Sequence, residues 1–139
     1  MAAHEKDPAH WLYRLSVDEW LAAADNELEL CEAALARRAF RPGVTHARRA
    51  AGMAWNAVLV VNLEREKEME RYGRSYMGHV AALASDDGAP DEIRAAAREL
   101  RDTPAAPPSL ITLGKPNLAP LQAAQRVVTY ARQRTAATN

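Results

Sequence analysis

Residues Ala50 to Leu63 read AAGMAWNAVLVVNL, and only Asn56 and Asn62 in that stretch carry polar side chains. A surface helix shows one apolar stripe; a helix apolar on nearly every face needs neighbours on nearly every side. The run is also too short and too interrupted to cross a bilayer, which takes roughly 20 largely apolar residues. It is therefore expected to form the long central helix of an all-α, up-and-down bundle of about five helices. Asn56, buried in such a helix, must find a partner on another helix or at an interface, because an orphaned buried amide costs roughly 1–3 kcal/mol. Gly52 costs about 1 kcal/mol against alanine in a helix and is expected to mark a close helix crossing.

Upstream, Phe40 to Gly43 (FRPG) predicts a break, with Thr45 as N-cap of the central helix. Before the break, Ser16-Val-Asp-Glu19 fits the capping box of a first helix running to about Arg38. Val17, Leu21, Ala24, Leu28, Cys31 and Leu35 recur at the 3–4 spacing of a packed seam. Cys31 in that seam reads as a small buried apolar side chain. Trp20 and Trp55 read as core anchors.

Downstream, the central helix is expected to continue through EREKEMER to about Tyr72 and stop at Gly73. Ser75 caps a short helix from Tyr76 to about Ala84, with Tyr76, Val80 and Leu83 inward. Pro90 fits the first turn of the next helix, whose inner face is Ile93, Ala96, Ala97 and Leu100. Asp102 to Pro116 is too rich in proline for a helix, but Leu110, Ile111 and Leu113 are expected to be pinned against the bundle. Asn117 caps the last helix, with a seam of Leu121, Ala124, Val128 and Ala131.

The whole chain of 139 residues is expected to be one domain, with residues 1–15 and 135–139 loosely held. Alanine is abundant, phenylalanine occurs once, and no segment alternates apolar and polar residues for long, which favours helices over sheet. A single cysteine excludes an internal disulfide, and the polar start MAAHEKDPAHW has no signal-peptide pattern. The expected location is the cytoplasm, with no membrane partner. Eighteen basic and eighteen acidic residues balance, so nothing global advertises nucleic acid. The distribution is uneven: Met1 to Ala36 holds eight acids and two bases, whereas Arg37 to Leu63 holds five arginines and no acid. His46, Arg48 and Arg49 in that basic zone form a candidate anion-binding site at the start of the central helix.

A long helix opening on tryptophan (EWLAAADNELELCEAAL), an alanine-rich buried helix (THARRAAGMAWNAVLVV) and a shorter helix with an early histidine (RSYMGHVAALA) follow one another here. Together they resemble the HEPN superfamily, helical bundles related to the C-terminal domain of kanamycin nucleotidyltransferase. The likeness spans roughly Ser16 to Ala131 and rests mostly on apolar periodicity. Its catalytic signature is an arginine, four to six residues, then a histidine, and Arg74-Ser-Tyr-Met-Gly-His79 matches with four between. Ser75 stands where active members tend to carry asparagine, aspartate or histidine.

The resemblance implies one of two functions. The first is a non-catalytic module that binds a protein partner, such as a companion nucleotidyltransferase, or a nucleotide. The second is a metal-independent endoribonuclease in which Arg74 and His79, with Ser75 and Tyr76 in support, act on RNA in the cleft of a homodimer. Histidine would move the protons and arginine would hold the phosphate. Five steps of a regular helix rotate by about 140°, so the pair converges only if Arg74 precedes the helix or acts across a dimer. No cofactor is expected. His4 and His10 lack the ligand spacing of a zinc site, and there is no phosphate loop, serine elbow or paired-carboxylate motif.

Overall fold

A computed structural model describes residues 14–61, 75–103 and 117–137. Among these residues the protein is all-α, with five helices: α1 (Val17–Ala36), α2 (Phe40–Val61), α3 (Tyr76–Ala84), α4 (Asp91–Asp102) and α5 (Ala119–Ala137). None of these helices is long and apolar enough to cross a membrane. The expected continuation of α2 to Tyr72, the stop at Gly73 and the apolar segment around Leu110 lie outside the described residues.

The start of α1 follows from its capping box. The Ser16 hydroxyl accepts from the Glu19 amide at 3.1 Å, and the Glu19 carboxylate accepts from the Ser16 amide at 3.0 Å. The helix ends at Ala36 on a left-handed residue, Arg38 (φ 61°). The amides of Arg38 and Ala39 turn back to the carbonyls of Leu35 and Ala34. That pair of bonds is a Schellman closure, made here with arginine where glycine is usual.

The break between the first two helices therefore falls at Arg37–Ala39, not at FRPG. α2 begins at Phe40 and runs through Pro42, because a proline in the first turn lacks only an amide that the turn leaves unpaired anyway. Thr45 is inside the helix, where its hydroxyl donates to the Arg41 carbonyl at 3.1 Å instead of capping.

α2 packs against all four other helices. Every residue from Ala50 to Val60 is buried within the single chain, including Trp55 at 3% exposure. Gly52 marks the predicted crossing: a Cβ there would sit 2.4 Å from the Tyr76 side chain of α3. Trp55 stacks on Tyr130 of α5 with ring centroids 5.9 Å apart, and the Arg134 guanidinium lies 5.8 Å from both rings.

Ser75 caps α3 as expected, accepting from the Gly78 amide at 2.8 Å. Pro90 is the residue just before α4, and the Asn117 side chain accepts from the Ala119 amide at the head of α5.

Candidate functional site

His79 lies in the first turn of α3, on the same inward face as Val80 and Leu83. It is 1% exposed, and its Nε2 donates to Asn56 Oδ1 on α2 at 2.7 Å. The central helix thus meets its requirement for an amide partner with this histidine. Asn56 Nδ2 remains buried with no hydrogen-bond partner among the described residues. Arg74 lies outside the described residues. Ser75 is exposed and engaged in the α3 cap, while Tyr76 is half-buried with its ring against Gly52.

The three basic candidates on α2 divide between two tasks. Arg48 is directed at the C-terminal end of α4: Nε donates to the Leu100 carbonyl at 2.8 Å and Nη2 to that of Thr103 at 2.7 Å. Those carbonyls are ones that a helix end leaves without internal donors, so the guanidinium acts as a cap supplied from another helix. His46 and Arg49, three residues apart on one face of α2, instead converge on Glu27 of α1. His46 Nδ1 is 2.5 Å from one carboxylate oxygen of Glu27, and Arg49 Nε donates to the other at 2.8 Å. The Arg49 guanidinium also lies 5.9 Å from the Tyr76 ring centroid. Because α2 starts at Phe40, His46 is well inside the helix and no free helix-end amides assist it.

Glu27 is the residue that the sequence reading missed. It is 6% exposed, a buried charged residue on α1. The signal was present, since Glu27 stands three residues after Ala24 and four before Cys31, on the seam of α1. A charge on an apolar seam calls for cationic partners across it.

Cys31 is fully buried, and burial, with a smaller contribution from the Glu32 charge, pushes its thiol up to about 11. At neutral pH it is a thiol and not a nucleophile. Among the described residues no three His, Cys, Asp or Glu side chains gather as a metal site. A cleft of about 490 Å³ opens between α4 and α5, lined by Ile93, Arg126, Thr129 and Tyr130 among others, and none of His46, Arg48, Arg49 or His79 borders it. Comparison of the chain with protein-family models, with curated proteins and with solved structures finds no match.

Proposed function

We propose that this chain is a HEPN-like helical module that works by binding a protein partner or a nucleotide, without catalysis of its own. The observation that carries this reading is the burial of His79. A general acid or base must come within hydrogen-bond reach of the proton it transfers. At 1% exposure, with Nε2 committed to Asn56, the His79 ring serves the packing of α3 on α2. A bundle that spends its signature histidine on its own core is better suited to presenting surfaces than to cutting RNA. On the resemblance, the protein partner would be a nucleotidyltransferase.

A homodimer belongs to the same proposal and rests on the resemblance alone. The apolar run of α2 does not itself call for a second copy, because the single chain already covers Ala50 to Val60.

The test is incubation of the full chain with RNA in the presence of a chelator. The expected result is intact RNA. Cleavage by the parent that falls 100-fold or more in His79→Asn, with the melting transition retained, would instead establish the endoribonuclease.

A further inference from the structure

The Glu27, His46 and Arg49 cluster is more than an inter-helix tie. Glu27 uses both carboxylate oxygens inward, one on His46 Nδ1 at 2.5 Å and one on Arg49 Nε at 2.8 Å. Each partner is thereby gripped by its inner nitrogen and keeps its outer ones available. His46 Nε2 and the two terminal nitrogens of Arg49 have no hydrogen-bond partner among the described residues. They are also accessible, with side-chain exposures of 27% for His46 and 46% for Arg49, against 8% for Glu27. Tyr76, anchored on Gly52, places its ring 5.9 Å from the guanidinium and limits where it can swing. Three helices therefore present an imidazole nitrogen and a guanidinium edge with their orientations held from behind.

We propose that His46 and Arg49 bind a phosphoryl group, with Glu27 as the positioning residue for both. The proposal rests on the reading of this chain as a binding module and names the chemistry of one ligand. Arg49 offers two parallel N–H donors, which match two oxygens of a tetrahedral phosphate. His46 serves in either protonation state. As imidazolium it donates from Nε2 to a phosphate oxygen, and as the neutral ring with its proton on Nδ1 it accepts the hydrogen of a P–OH. Glu27 touches no ligand; it fixes the ring's direction and keeps Arg49 Nε turned inward. Arg48 has no part, because its guanidinium is committed to the end of α4.

The phosphoryl group can come from free phosphate or from a nucleotide, and the titration separates the two. Imidazole nitrogen resonances of the full chain are followed by two-dimensional NMR during addition of inorganic phosphate, of adenosine monophosphate, or of sodium chloride at matched ionic strength. The expected result is a saturable shift of His46 with both phosphates and none with chloride. Tighter binding of the monophosphate marks a nucleotide as the source, and equal binding marks the free ion. Arg49→Lys should weaken binding roughly ten-fold, because an ammonium cannot present the paired edge. Glu27→Gln should weaken it and also change the tautomer signature of the His46 ring, which a residue with only a packing role would not do. Arg48→Lys should leave the affinity unchanged. The proposal is overturned if neither phosphate shifts His46 beyond the chloride reference, or if Arg49→Lys and Arg49→Gln, folded by circular dichroism, bind as the parent does. That failure would leave the binding-module reading intact, since cleavage of RNA dependent on His79 is what contradicts it.

Discussion

At the scale of single residues, the buried polar pair Asn56–His79 ties α3 to α2 and is costly to disturb. Removing either side chain breaks the buried hydrogen bond between them, at about 1–3 kcal/mol, and truncating the ring adds a cavity. His79→Ala should therefore destabilise the protein by about 2–4 kcal/mol. A double-mutant cycle with Asn56→Ala should give a coupling of about 0.5–3 kcal/mol. Denaturant unfolding measures both, and a coupling near zero would mean that the two side chains do not meet. Gly52 makes a prediction of opposite sign to its propensity. In an open helix Gly→Ala gains about 1 kcal/mol. Here the added Cβ would sit 2.4 Å from Tyr76, so Gly52→Ala should destabilise by about 1–3 kcal/mol. A rise in melting temperature would show that α3 does not cross α2 at this point.

At the scale of elements, the helix signals in the sequence divide by the physics that backs them. The helix caps were legible because they are local: the Ser16–Glu19 capping box and the Ser75 N-cap of α3 need only three residues and a backbone amide. The α1–α2 break was misplaced because proline and glycine are ambiguous signals. Pro42 is compatible with a first helical turn, and the true stop uses Arg38 in a left-handed conformation that composition does not announce. Arg48 is legible in the basic zone as one of three candidate anion-binding residues, but its guanidinium is turned to the end of α4, more than fifty residues away in sequence. No local pattern encodes that contact.

The α1 cap also predicts an acid effect. Hydrogen bonds from Ser16, the backbone amide first and the side chain second, hold the Glu19 carboxyl below its ordinary value of 4.5. A carboxyl depressed in the folded state stabilises above its unfolded value and loses that contribution as pH falls through the folded one. Stability should thus drop on the acid side of 4.5, and Glu19→Gln should lack this component of the drop. Thermal melts of both proteins from neutral to acid pH check it; parallel acid limbs would contradict the cap's role.

At the scale of the molecule, the apolar run around Trp55 made the all-α bundle readable, since a helix buried on all sides dictates neighbours on all sides. Trp55→Asp should abolish folding by placing an unpaired charge against Tyr130 in the core, and a native-like melt of that variant would refute the architecture. The site was less legible. Sequence spacing brought Arg74 and His79 together as a motif, whereas the fold assigns His79 to the core and brings His46 and Arg49 to a glutamate on a different helix. Spacing along a chain reports which residues could share a face; it does not report which face is buried.

His79 is a core residue and His46 an accessible one, and covalent labelling separates them directly. The native protein is treated with diethyl pyrocarbonate near neutral pH, and the ethoxyformyl groups on individual histidines are counted by peptide mass spectrometry over time. His46, with its Nε2 facing outward, should be modified readily, whereas His79 should stay unmodified until denaturant unfolds the bundle. Modification of His79 in the folded protein at the rate of His46 would contradict the account and return His79 to the candidates for catalysis.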